Sequence, residues 1–304
     1  MKRYYDSMQE LVGNTPLLKI NKMGVKPSVG VFAKLELWNP AGSVKDRTGR
    51  WMVRDAERRG LLKPGSTIIE GTAGNTGLGI AFAALDKGYK VIFVVPEKFS
   101  EEKQTLMRAL GAQIVHTPLD EGMLGAERKM NELLDEVPNS VALRQFRNLS
   151  NPQAHYESTG PEIWRDLGGD VQYFVSGAGS GGTYTGIARY LKEQDPSIKC
   201  VLADPVGSTI GGGEHGNYRI EGIGNDFVAD TMDMGLVDDV IKVGDDEAYG
   251  TVRELARREG VFAGSSSGAA LWAALELAKR IDSGNIVTVF YDRGDRYFSE
   301  HLYE

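Results

Sequence analysis

Short apolar runs alternate with amphipathic stretches along almost the whole chain. Val29–Leu35, Thr67–Ile69, Val91–Val95, Gln113–Val115, Val171–Val175, Cys200–Ala203 and Ile286–Phe290 read as buried strands. Apolar residues at helical spacing fill 44–60, 75–87, 101–110, 122–135, 181–194, 245–259 and 267–281. Strand followed by helix, repeated, predicts an α/β protein with mostly parallel twisted sheets covered by helices on both faces. Such sheets hold their ligands at the carboxyl ends of the strands, so the loops there are the places to look for function.

Three loops are rich in glycine, serine and threonine, and each leads into a helix: Gly71-Thr-Ala-Gly-Asn-Thr-Gly77, Gly177-Ala-Gly-Ser-Gly-Gly-Thr183 and Gly264-Ser-Ser-Ser-Gly268. A helix start leaves backbone N–H groups without partners and carries the positive end of the helix dipole, which suits an anion. One such loop is most often a plain tight turn. Three together, interleaved with hydroxyl residues, point to one anion-bearing ligand gripped at several points.

Asn39-Pro-Ala-Gly-Ser-Val-Lys-Asp-Arg47 opens the first long helix. Ser43 is the predicted N-cap, and Asp46 completes a capping box. Val44, Thr48, Trp51, Met52 and Ala56 then share a face. Lys45 falls in the first turn, where the dipole disfavours a cation. A solvated lysine offset by Asp46 is the plain reading. An amine kept neutral, as a Schiff-base lysine requires, would remove the penalty.

Composition narrows the classes. The 304 residues, 41% hydrophobic and 25% charged, suit one large domain or two modest ones. A formal net charge of -7 without basic blocks argues against nucleic-acid and anionic-membrane partners. Cys200 is the only cysteine, which excludes an internal disulfide. His116, His155, His215 and His301 are scattered without ligand spacing, so no metal is expected. No run approaches a membrane span, and Met1-Lys-Arg-Tyr-Tyr-Asp6 has no apolar segment behind its basic pair, so a cytoplasmic location is expected. Gly177–Thr183 lacks the Gly-Lys-Ser/Thr ending of an ATP-binding loop. It does match Gly-x-Gly-x-x-Gly at 177, 179 and 182, with Asp204 roughly 20 residues on. A dinucleotide-binding oxidoreductase is therefore the rival reading, although it leaves the other motifs unexplained.

Taken in order, Asn39–Arg47, Thr72–Gly77, Gly177–Thr183, Glu221-Gly-Ile-Gly224 and Gly264–Gly268 resemble the signature segments of the cysteine synthase and cystathionine β-synthase family. Leu11-Val-Gly-Asn-Thr-Pro-Leu17, Gln145-Phe146 and Asn151-Pro152 are similar as well, so the resemblance covers nearly the whole chain. Ala73, Glu221 and Ser265–Ser267 look like the bacterial branch that uses O-acetylserine. Ala41 and Arg293 depart from the usual glycine and serine.

The resemblance implies the fold type II arrangement of pyridoxal 5′-phosphate enzymes. In it, a smaller mobile domain, 38–146, carries the substrate-carboxylate loop, and 1–37 with 147–304 carries the phosphate loop. Lys45 would hold the cofactor as a Schiff base and act as base. Gly179, Ser180, Gly181, Gly182 and Thr183 would wrap its phosphate, Asn75 its 3′-oxygen, and Ser266 its ring nitrogen. Thr72, Ala73, Gly74, Asn75, Thr76 and Gln145 would receive the substrate carboxylate, with Gly222 close by. Glu221 and Asp226 would recognise an amino group or activate a thiol or water.

The implied reaction is β-replacement on O-acetylserine, serine or cysteine through an aminoacrylate. Sulfide or homocysteine enters, giving cysteine or cystathionine; the alternative is cysteine β-elimination releasing hydrogen sulfide. A homodimer is implied too, without haem or adenosyl regulation.

Overall fold

The alternation resolves into two sheets. The computed structural model describes residues 4–97 and 100–304, so the basic pair Lys2-Arg3 lies outside the described residues. The chain runs β1 (Leu17–Lys19), β2 (Val29–Leu35), α1 (Lys45–Arg58), β3 (Thr67–Gly71), α2 (Asn75–Ala84), β4 (Lys90–Pro96), α3 (Glu101–Ala109), β5 (Gln113–Thr117), α4 (Gly122–Glu136) and β6 (Ser140–Val141). It continues with α5 (Ser150–Ala154), a π-helical turn (His155–Thr159), α6 (Gly160–Asp166), β7 (Tyr173–Ser176), α7 (Gly182–Gln194) and β8 (Lys199–Pro205). Last come β9 (Asp239–Val243), α8 (Asp245–Glu259), α9 (Ser265–Arg280) and β10 (Gly284–Phe290).

One sheet has the order β1-β2-β10-β7-β8-β9 and the other β5-β4-β3-β6. Every pairing between these strands is parallel except β1 with β2. The four-stranded sheet is drawn from 67–141, the six-stranded one from 17–35 and 173–290. A large core packs around the six-stranded sheet, and two smaller clusters pack against the other.

Every strand and helix expected from the pattern forms, with shifts at some ends. Helix α2 stops at Ala84 rather than 87, because Leu85 turns extended and Asp86 takes a φ of 60°. The pattern alone missed β1, β6, β9 and the stretch from α5 to α6. Helix α1 also opens one residue later than its capping box implies. Val44 occupies the N-cap position without a side-chain bond. Ser43 Oγ accepts the Lys45 N–H at 3.2 Å, while the Asp46 carboxylate reaches back to the Ala41 N–H at 2.5 Å.

Two features fix α1 in place. The first is backbone contact with α2: a Cβ on Gly79 would overlap the Lys45 carbonyl, and one on Gly49 would overlap Gly79 itself. The second is a buried ion network. Arg47 Nε lies 2.7 Å from Glu36 and its Nη1 2.7 Å from Glu162, which Lys34 meets at 2.9 Å. The network anchors the lysine-bearing helix to the end of β2 and to α6. Among the described residues, no helix is long and apolar enough to cross a membrane, and no cluster of metal-ligating side chains occurs.

Candidate active site

The loop after β7 opens α7 from Gly181, whose φ of 81° is a left-handed conformation that glycine adopts without strain. Its shape is held from outside. Asn225 Nδ2 donates to the Gly179 carbonyl at 2.8 Å, Asn151 Nδ2 donates to Ser180 Oγ at 3.0 Å, and the Thr231 hydroxyl donates to the Ser180 carbonyl. Thr183 Oγ1 lies 3.2 Å from Nε2 of His155, whose Nδ1 is 2.9 Å from Thr159 Oγ1. Burial, reinforced by the charges of Arg47 and Lys45, holds the His155 pKa well below its ordinary value, so the ring is neutral. A neutral imidazole carries one N–H, so the ring donates on one side and accepts on the other.

This loop shares a slot of about 40 Å³ with Lys45, Asn75, Gly222, Ser266 and Asp292. The slot adjoins a cavity of about 540 Å³ that has Lys45, Asn75, Ser180 and Gly222 in common with it. Burial lowers the Lys45 amine to about 8, opposed by the nearby Asp292 carboxylate. Of the three consecutive serines, Ser265 Oγ accepts the Glu221 N–H at 3.1 Å and Ser267 Oγ accepts the Tyr291 N–H at 2.9 Å. Ser266 is left to line the slot. Gly222 lies beside it: a Cβ built there would meet Ser266 Oγ at 3.8 Å, an ordinary van der Waals contact.

The Asn75 amide is fixed on both atoms. Its Nδ2 donates to Asp292 Oδ2 at 2.6 Å, and its Oδ1 accepts from Arg296. Asp292 Oδ2 also accepts from the Tyr297 hydroxyl at 2.5 Å, while Oδ1 has no partner among the described residues. Asn75 keeps its second N–H for the slot.

The wider cavity is lined by Thr72, Ala73, Gly74, Asn75, Thr76 and Gln145, gathered at the start of α2. Thr76 donates to Gln145 Oε1 at 2.6 Å, which leaves the amide NH₂ of Gln145 available. Buried Glu70 accepts the N–H groups of Leu143 and Arg144 at 2.8 and 3.0 Å, tying the Gln145 segment to β3. With Lys45, these residues place a neutralisable amine beside a cluster of donors suited to a carboxylate.

The structure therefore brings together every residue expected at the site except Gly182, which starts α7 just behind the slot, and Asp226. Asp226 is exposed and stands outside the lining residues. Glu221 lines the cavity and pairs with Lys103 at 2.5 Å. Arg293, an oddity in the sequence, is an exposed partner of Asp295.

Sequence reasoning missed Lys103, Asp292, Arg296, Tyr297 and His155 as residues of the site. Asn151, which braces Ser180, lay within a motif but had been given no role there. Asp292 and Arg296 sit in Tyr291–Arg296, the segment whose unusual Arg293 was the available signal. Lys103 had no signal beyond its place in an acidic first turn.

The profile of the family described as pyridoxal-phosphate dependent enzyme matches residues 8–292. The chain is 52% identical over 296 residues to an O-acetylserine dependent cystathionine beta-synthase of Bacillus subtilis strain 168, covering 97% of this chain and 96% of the relative. Among solved structures, an O-acetylserine dependent cystathionine beta-synthase from Helicobacter pylori superposes with a TM-score of 0.95 at 43% identity, over 100% of both chains. A hydrogen sulfide-producing enzyme from Fusobacterium nucleatum gives 0.93 at 37% identity, over 97% of this chain and 100% of that one.

Proposed function

The chain belongs to the pyridoxal-phosphate dependent enzymes, and from that premise we propose that it carries out β-replacement on O-acetylserine or a related serine- or cysteine-type amino acid, with sulfide or homocysteine entering. The observation that carries this reading is the slot itself. A glycine loop at a helix start and a lysine of lowered pKa line it together, with Asn75, Gly222 and Ser266 beside them. Those features fit a phosphorylated, aldehyde-bearing pyridine.

Lys45 would hold the cofactor, 179–183 its phosphate, Asn75 its 3′-oxygen and Ser266 its ring nitrogen. When bound, pyridoxal 5′-phosphate supplies an electron sink for charge developing at the substrate Cα. Ser266 offers a hydroxyl in place of a carboxylate, so it does not hold the ring nitrogen protonated, which favours loss of the β-substituent. Thr72–Thr76 and Gln145 seat the substrate carboxylate through backbone and side-chain donors. Lys45, released by the substrate amine, is placed to take the α-proton as general base. Glu221 faces the incoming nucleophile. Asp226, exposed beyond the lining, is given no step.

The similarity to the Fusobacterium enzyme supports a second reading, in which cysteine enters first and hydrogen sulfide leaves. One assay separates them. Holoenzyme is incubated with O-acetylserine, serine, phosphoserine or cysteine, sulfide or homocysteine is added, and the products are identified by mass spectrometry. Cysteine or cystathionine from O-acetylserine is expected; sulfide from cysteine as the only product would favour the second reading. The same reading places the enzyme in the cytoplasm as a homodimer. Light scattering tests the dimer.

His155 supplies a prediction about cofactor retention. Its ring is the one imidazole touching Thr183 among the described residues, and removing it frees that hydroxyl to turn from the phosphate position. His155→Ala apoprotein should bind pyridoxal 5′-phosphate about tenfold more weakly, the worth of one hydrogen bond. Fluorescence titration reads this without reference to turnover.

A further inference from the structure

The side-chain amide of Asn75 has two ends of nearly equal shape, so only its hydrogen-bond partners decide which end faces the slot. Those partners are buried side chains of opposite formal charge. Arg296, 6% exposed, donates to Asn75 Oδ1 and to the Ala41 carbonyl ahead of Lys45. A guanidinium can only donate, so the end that meets it must be the oxygen. Asp292, 1% exposed, accepts the Asn75 Nδ2–H at 2.6 Å. The carboxylate is held in turn: the Tyr297 hydroxyl donates to the same oxygen, and a Cβ on Gly264 would overlap the other. It therefore packs against the start of α9, the helix end that favours a negative charge. Asp292 lines the slot and Arg296 the groove outside it, which puts the nitrogen of Asn75 on the slot side.

Both partners come from the segment after β10, whereas Asn75 opens α2 beside the other sheet. A carbonyl turned toward the slot would repel an ionised oxygen there, and an N–H stabilises one. We propose that Asp292 and Arg296 are positioning residues: they lock the Asn75 amide with an N–H toward the cofactor's 3′-oxygen and so keep that oxygen ionised. This rests on the reading that puts Asn75 at the 3′-oxygen and adds to it the two residues that fix the direction of the contact.

The test titrates apoprotein of the whole chain with pyridoxal 5′-phosphate and with 3-deoxypyridoxal 5′-phosphate, which lacks that oxygen. Asn75→Ala should cut the preference for the natural cofactor about tenfold, the scale of one hydrogen bond to a charged group. Asp292→Ala and Arg296→Met should do the same. Asp292→Asn, whose carbonyl still accepts from Asn75, should keep the preference within about twofold. Absorbance of the loaded proteins at neutral pH is the second readout. The visible band of the ionised ring should dominate in wild type and Asp292→Asn. In Asp292→Ala and Arg296→Met it should give way in part to the near-ultraviolet band of the protonated form. Should Asp292→Ala fail to fold, Arg296→Met still decides. Equal weakening toward both ligands would overturn the proposal, because the two residues would then only brace the fold. If Asn75→Ala loses the preference while Asp292→Ala and Arg296→Met keep it, the proposal falls and the Asn75 assignment stands. If Asn75→Ala keeps the preference, both fall.

Discussion

Lys45→Ala protein is expected to bind pyridoxal 5′-phosphate without a covalent link and to lose turnover by about a thousandfold or more, since it gives up both the attachment point and the general base. Lys45 is the lysine lining the slot beside the phosphate loop, and Lys103 is the other lysine lining the larger cavity. Borohydride reduction of wild-type holoenzyme followed by peptide mass spectrometry should therefore place the adduct on Lys45. An adduct on Lys103, or full activity in the alanine variant, would overturn the assignment. Thermal unfolding of the variant should stay near wild type, because burying this amine already disfavours its charge.

The second large effect concerns stability. Arg47→Met is expected to destabilise the protein by about 3–5 kcal/mol, because it leaves Glu36, otherwise held by Thr15 and Asn39, and part of the Glu162 pairing without a buried positive charge. Arg58→Met removes an exposed pair with Asp55 and should change stability by about 1 kcal/mol or less. Urea unfolding followed by circular dichroism compares the two; similar midpoints would show that the buried network contributes little. The network also sets an acid limit. Burial raises the Glu162 carboxyl, but Arg47 and Lys34 overcome this and bring it from an ordinary 4.5 down to about 2. Its folded pKa is depressed, so its contribution is complete above about 4.5 and is lost as the pH falls toward 2. In Arg47→Met the Glu162 pKa should move back toward 4.5, so less stability is lost over this range and the loss ends at a higher pH.

The central strands were legible because parallel strands covered on both faces read as unbroken apolar runs. β9 was not: Asp239-Val-Ile-Lys-Val243 sits at a sheet edge, and its burial alternates. The stretch from α5 to α6 was hidden by Pro152 and Pro161, which read as breaks, although both lie in first turns where proline is tolerated. The site divided in the same way. Its loops are contiguous motifs, so Lys45, Asn75, Ser266 and 179–183 could be picked out in the sequence. Arg296, Asp292 and Lys103 reach the site only because distant segments cross between the two sheets, and a single side chain in an ordinary segment carries no local pattern.

The bare contact between Gly49 and Gly79 has a consequence for motion. With no side chains between them to act as bearings, α1 and α2 have no plane along which to slide. On the proposed roles, the proton acceptor at the head of one helix and the carboxylate seat at the head of the other would have to move together. The spacing between Lys45 and the start of α2 would then hold through any movement of this half of the site.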